Sequence, residues 1–221
     1  MRIIVTAGPT REHLDPVRFL SNPSTGKMGF AIAAEAARRG HAVTLVAGPV
    51  ALKTPKGVER VDVVSAREML AAVEGAVPAP AAENGGGTVL IATAAVADWR
   101  PAKCAAKKLK KGEMNGVLKL VRNPDILKTV DSCRKRSKAA GLRLVGFAAE
   151  TNDVLREAAR KCREKGLEFI VANDVSEKGC GFGTDTNRVT FVFPDGTLKR
   201  FPLMTKRMVA KRILEEIENE M

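Results

Sequence analysis

The sequence predicts a three-layer α/β sandwich around a mostly parallel sheet, finished by a C-terminal β-hairpin and helix. Three observations carry this. Short apolar runs alternate with stretches of helical periodicity over most of the 221 residues. Residues 88–93 (TVLIAT) are apolar on both faces, as strands covered by helices on each side are. Glycine or proline marks most of the changes of period.

Residues 2–6 form a buried strand opening into Ala7-Gly8-Pro9-Thr10, and residues 10–25 read as a polar loop. Residues 26–39 form an amphipathic helix stopped by Gly40. Strands follow at 41–47, with His41 capping its start, and at 58–64, then a helix at 66–77. A Pro/Gly/Ala loop (78–87) leads to the strand at 88–93. A basic loop runs to about Gly116, with Gly112 as a hinge, and 117–121 is a short strand. Asn123-Pro124-Asp125 opens a helix with proline at the first helical position. Residues 142–147 are a strand, 152–165 a helix ended by Gly166, and 168–172 a strand. Residues 188–193 and 197–201 flank Pro194-Asp195-Gly196 as a hairpin, and 204–220 is the last helix. There is no internal repeat. Residues 1–221 read as one domain with a basic lid at about 100–116.

A 45% hydrophobic, 28% charged composition excludes disorder throughout. No apolar run approaches the roughly 20 residues that span a bilayer, and MRIIVTAGPT has no signal-peptide pattern. Cys104, Cys133, Cys162 and Cys180 form no CxxC pair, which argues against a zinc knuckle or a disulfide scaffold. A cytoplasmic protein is expected, with no membrane partner. The net charge is +12, and residues 100–143 hold 14 Lys and Arg against Glu113, Asp125 and Asp131. Such a patch suits a polyanion, a nucleoside triphosphate or a nucleic acid, and is otherwise a solvated face. With no Tyr and one Trp, stacking platforms for single strands are scarce, so no nucleic-acid partner is expected.

Ligands of open parallel sheets sit beyond the carboxyl ends of the strands. Three segments should meet there: residues 7–10, 21–29 (SNPSTGKMG) and 94–98 (AAVAD). The second runs into a helix N-terminus, where unpaired N–H groups attract anions, or where Ser24 or Thr25 simply caps the helix. Gly26 and Gly29 would let phosphate oxygens approach the backbone. Neither a Walker A loop nor GxGxxG is present, and no acid follows the second strand as a nicotinamide reductase would want. Asp98 suits a hydroxyl, a metal or a ribose, or caps a turn. Lys107-Lys108-Leu109-Lys110-Lys111 is a lid over phosphates or a solvated loop. Phe147 stacks on a base or sits in the core. His13 and His41, the two histidines, form no Ser–His–Asp or Cys–His arrangement.

TAGPTRE, DPVRFLSNPSTGKMG, ATAAVADWRP, KKLKK, NPDIL, GFAAET and VANDVS occur in this order from residue 1 to about 206. Together they resemble phosphopantothenoylcysteine synthetase (phosphopantothenate–cysteine ligase), a Rossmann-like enzyme of coenzyme A biosynthesis. The resemblance implies joining of 4′-phosphopantothenate and L-cysteine through an acyl-cytidylate made from CTP, with release of pyrophosphate and CMP. It also implies Mg²⁺ and a homodimer with a site shared across the interface. The bacterial enzyme is often fused behind a flavin-dependent decarboxylase domain; this chain resembles a stand-alone synthetase or an excised domain, linked functionally to a separate decarboxylase. By the same resemblance Asn22 and Lys108 are catalytic. Arg18, Asn22, Ala94, Ala95 and Asp98 bind phosphopantothenate, with Arg18 reaching the neighbouring subunit's substrate. Gly8, Ser24, Gly26, Gly29, Ala92, Thr93, Ala94, Asp98, Lys108, Pro124, Asp125, Ile126, Leu127, Phe147, Lys161, Lys165 and Asn173 bind the nucleotide. Pro9, Pro23 and Trp99 depart from the commonest pattern without removing a reacting group. Lys27 and the KLKK run resemble the bacterial CTP-using form.

Overall fold

The computed structural model describes residues 1–77, 87–110, 116–137, 141–150, 153–177 and 179–219. Gly112, Lys111, Thr151 and most of the 78–87 loop lie outside the described residues.

Eight strands form the central sheet: β1 (Arg2–Ala7), β4 (Ala42–Ala47), β5 (Val58–Asp62), β6 (Thr88–Ala92), β9 (Leu142–Glu150), β10 (Phe169–Asp174), β12 (Val189–Val192) and β13 (Leu198–Arg200). Their order is β13-β12-β10-β9-β6-β1-β4-β5, parallel from β5 to β10 and antiparallel at β12 and β13. β1 pairs with β4 on one side and β6 on the other, so strand order reverses there and a crevice opens at their carboxyl ends.

Period-two side chains divide the core. Ile3, Val5, Val89, Ile91, Phe169 and Val171 face α1 (Lys27–Arg38) and α5 (Lys206–Asn219). Ile4, Leu90, Leu144 and Ile170 face α2 (Ala66–Ala76), α3 (Ile126–Ser137) and α4 (Val154–Glu164). The expected three layers result. Ser65 caps α2 by accepting from Glu68 N (3.3 Å), while Glu68 reaches back to accept from Val64 N (2.8 Å), the residue before the cap. No helix among the described residues is long and apolar enough to cross a membrane.

Several local expectations are corrected. The loop at 10–25 contains a hairpin, β2 (Arg11–His13) with β3 (Phe19–Ser21). Buried Glu12 fixes it to the body by accepting from Ala66 N at the α2 N-terminus (2.9 Å). The basic loop begins with β7 (Trp99–Pro101), paired to β8 (Leu120–Arg122), so the short strand lies later than expected and residues 117–119 precede it. Helix α3 begins at Ile126, two residues after Pro124, with Asp125 accepting from Lys128 N (3.1 Å). His41 precedes its strand; Nε2 lies 2.9 Å from Glu218 of α5, tying the two chain ends together. Two residues, Met204–Thr205 (β14), pair with Thr186–Asn187 (β11) before α5.

Candidate functional site

The rim of the crevice is built from loop 93–98 laid over the end of β1. Pro9 and Ala95 continue the parallel pairing as an isolated bridge. Ala95 N donates to the Gly8 carbonyl (2.9 Å) and Thr10 N to the Ala95 carbonyl (3.3 Å). Thr6 Oγ1 accepts from Ala94 N (3.2 Å) and Thr10 Oγ1 from Ala97 N (2.9 Å). Asn123 closes the far side: Nδ2 donates to the Ala97 carbonyl and the backbone N–H to the Asp98 carbonyl, both at 2.8 Å. Two threonines and one asparagine thus fix a backbone that carries no regular structure of its own.

A cleft of about 470 Å³ lies against this rim. Asn22, Ala92, Thr93, Ala94, Ala95, Asp98, Pro124, Asp125, Ile126, Leu127, Phe147 and Lys165 all line it, twelve of the expected residues drawn from five separate segments. Asn22 Nδ2 donates to the Ala95 carbonyl (3.1 Å), which leaves Oδ1 without a partner among the described residues. The Asp98 carboxylate is exposed and also without a partner there, so its turn-cap reading does not hold. Burial resists ionisation of Asp125, but Lys165 at 2.8 Å and the Lys128 N–H outweigh it and hold the carboxyl below its ordinary range.

A second cavity, of about 70 Å³, sits at the α1 N-terminus and shares Thr93, Phe147, Ala149 and Phe182 with the cleft. Ser24, Gly26, Gly29 and Asn173 line it. The capping expected of Ser24 or Thr25 is absent. Gly26 is the cap residue, in the left-handed region at φ 78°, and no side chain bonds the first turn. Thr25 Oγ1 is spent on the Phe182 carbonyl (2.8 Å). Gly29 serves packing: a Cβ there would lie 2.5 Å from the Ala7 Cβ and 2.6 Å from Thr93 Oγ1.

Four expected residues line neither space. Gly8 lies behind the rim, where a Cβ would meet Val50 and the Gly48 carbonyl. Lys161 is half-buried on α4. Arg18 belongs to a separate assembly around Asp15, and Lys108 directly precedes Leu109, which is bonded there. That carboxylate is fully buried and accepts from Val17 N (2.8 Å), Arg18 N and Nε (both 2.9 Å) and Leu109 N (3.2 Å). Arg18 also donates to the Leu109 carbonyl (2.9 Å). The Arg18 guanidinium, against the cost of burial, holds the Asp15 carboxyl well below the usual carboxylate range. Lys107 and Lys108, next to Leu109, are exposed and without partners among the described residues.

Sequence reasoning missed Asp15, Asn187, Phe182 and Lys206, and read Asn123 only as part of a helix start. DPVRF holds an Asx-type turn at Asp15, and NPD places Asn123 before a helix; both were legible as local signals. Asn187 and Lys206 follow no local rule and meet the site through the fold. Among the described residues no three His, Cys, Asp or Glu cluster as a metal cage.

All of residues 1–221 match the family described as DNA/pantothenate metabolism flavoprotein C-terminal domain. The coenzyme A biosynthesis bifunctional protein CoaBC of Escherichia coli K12 is 47% identical over 220 residues, 98% of this chain and 51% of that protein. The chain thus spans about half the length of the curated relatives it matches. The crystal structure of the C-terminal domain of a CoaBC bifunctional protein is 42% identical, with TM-score 0.79, 99% of this chain and 94% of that one being covered. A Cab2 variant solved in complex with phosphopantothenate-cysteine shares the fold at 16% identity, with TM-score 0.76 and 99% and 86% of the two chains covered.

Proposed function

Because the chain belongs to the DNA/pantothenate metabolism flavoprotein C-terminal domain family, we propose that it is a ligase joining 4′-phosphopantothenate to L-cysteine at the expense of CTP. One observation carries the reading: four separated segments bring Asn22, Asp98, Pro124–Leu127 and Phe147 onto one cleft at the strand-order reversal. Relatives named for coenzyme A biosynthesis support it.

In the first step a phosphopantothenate carboxylate oxygen attacks the α-phosphorus of CTP. The α–β P–O bond breaks and pyrophosphate leaves with the electron pair. In the second, the cysteine nitrogen attacks the acyl carbon of the cytidylate. The C–O bond to CMP breaks, CMP leaves, and a nitrogen-bound proton passes to solvent. Asn22 holds the carboxylate and then the acyl-cytidylate, with a neutral amide that does not repel phosphate oxygens. Phe147 offers a face to the base and Lys165 a cation beside it. Lys108 reaches over the phosphates and, in the second step, meets the charge that develops on the departing CMP.

Mg²⁺ bound through a triphosphate needs only one or two protein carboxylates, and Asp98, without a partner among the described residues, suits that. When bound, the ion neutralises phosphate charge. A homodimer with Arg18 serving the neighbouring site is part of the same proposal. Its support is the apolar exposure of Val17, Phe19, Trp99, Val117, Leu118 and Leu120 on or beside two small hairpins, with β2 lying against β7.

Pyrophosphate release tests the whole reading, with 4′-phosphopantothenate and Mg²⁺, CTP against ATP, with and without cysteine. CTP-dependent release coupled to cysteine consumption is expected. Equal use of ATP removes the nucleotide assignment, and no release with either nucleotide removes the ligase.

A further inference from the structure

The small cavity at the α1 N-terminus gathers two chemically different sets of groups. In the first, the first turn of a 12-residue helix opens with Gly26 as its cap and, among the described residues, no side chain satisfying its N–H groups. The Lys206 ammonium lines the same space; the residue is only 6% exposed, and Nζ donates to the carbonyls of Gly181, Phe182 and Thr184 (3.3, 3.3 and 2.6 Å). This set favours an anion. In the second set Asn173 and Asn187 are 8% and 4% exposed and both line the cavity, with Asn187 Nδ2 3.8 Å from Met28 Sδ in the first turn of α1. Each has a buried Oδ1 with no hydrogen-bond partner among the described residues. Asn173 spends its Nδ2 on the Cys180 carbonyl (2.8 Å), which leaves the oxygen as its free function. Orphaned buried acceptors are costly and call for a donor from outside the chain.

An occupant must therefore carry a carboxylate and N–H donors on a compact skeleton. We propose that this cavity is the α-amino-acid subsite: the α-carboxylate lies on the α1 N-terminus beside Lys206, and the α-amino group donates to Asn173 Oδ1 and Asn187 Oδ1. The assignment rests on the ligase reading above, and it moves Ser24, Gly26, Gly29 and Asn173, all of which line this cavity, from the nucleotide to the amino acid. Position agrees with it. Phe147, Thr93, Ala149 and Phe182 are walls of both spaces, so an amine held here neighbours the cleft where the acyl-cytidylate forms. Thr25, Lys27 and Lys206 together bond the carbonyls of residues 181–184, which sets Phe182 between the two. Asn173 and Asn187 are neutral amides, which leaves the nitrogen lone pair free once its proton is lost.

The test is steady-state kinetics of the full chain, with each substrate varied in turn. Asn187→Ala should raise the cysteine KM about tenfold or more, the scale of one lost hydrogen bond to a charged group. The KM values for CTP and phosphopantothenate should stay within twofold. With the unaltered protein, cysteamine, which keeps thiol and amine but lacks the carboxylate, should show a KM at least tenfold above that of cysteine. This second arm does not depend on the variant folding. Cysteamine used as well as cysteine overturns the proposal. So does a variant in which the CTP KM rises instead, since the cavity would then hold a nucleotide phosphate, or in which all three rise together. Failure of CTP-dependent pyrophosphate release in the unaltered protein is a different result, and it removes the ligase reading instead.

Discussion

The cleft rim and the lysine-bearing excursion serve one proposed site but are held in different ways. Loop 93–98 is bonded along its length by Thr6, Gly8, Thr10 and Asn123, each on a strand, a strand end or a helix approach. The excursion between β7 and β8 is bonded to the body, among the described residues, at Ala105 N to the Leu14 carbonyl (2.8 Å) and at Leu109 through Asp15 and Arg18. Lys107 and Lys108 extend from that anchor into solvent. A rim that contacts substrate throughout gains from preorganisation, whereas a cation needed over a developing charge gains from one fixed root and a free tip.

Asn22→Asp attacks the rim and should have the largest effect. The fold survives, because the residue is half-buried and its Nδ2 bond to Ala95 is the only one its side chain makes to the described residues. A new carboxylate beside phosphate oxygens should lower the overall rate by about 10²–10³-fold. Quench-flow should show acyl-cytidylate that forms poorly or accumulates; unaltered turnover would remove the role given to Asn22. The excursion should respond less and in a different step. Lys108→Gln should form the activated intermediate and pass it slowly to cysteine, with the rate down roughly tenfold or more. Asp15→Asn should reproduce that pattern more weakly and lower the melting temperature, because Arg18 and Leu109 lose their shared anchor. If Asp15→Asn changes stability alone, the anchor does not position the lysine, and the comparison fails.

The smallest effect lies outside both regions. Glu35 is held down to about 2 from its ordinary 4.5 by Arg38, with burial opposing and Arg39 assisting. A lowered folded-state value means its contribution is complete above the unfolded value and is lost as pH falls from about 4.5 towards 2. Melting temperatures over that window should fall less steeply in Glu35→Gln than in the unaltered chain, a difference of the order of 3 kcal/mol in total. Parallel curves would show that Glu35 is not the titrating group.

Strong local patterns made most of the fold legible. Apolar strands such as 2–6 and 88–93, and helices bounded by Gly40 and Gly166, announce themselves by period and punctuation. The missed β2, β3 and β7, and β8, whose start was placed too early, are three residues each, too short for a period to show. Glu12 and Asp15 specify the first of them through bonds to α2 and to Leu109, partners 54 and 94 residues away in sequence.

At the site the division is similar. Motif order located the cleft, and twelve of the expected residues meet there because parallel strands deliver their following loops to one edge. The sequence by itself determined the alternation of strand and helix, the buried faces and the identity of those loops, since propensity and hydrophobic period are local properties. Only the tertiary structure decided that Gly26 rather than a hydroxyl residue caps α1, and that Asn173, Asn187 and Lys206 surround it. Which polar groups stay unsatisfied depends on every neighbour that packing brings within 3.5 Å, and no local rule contains that information.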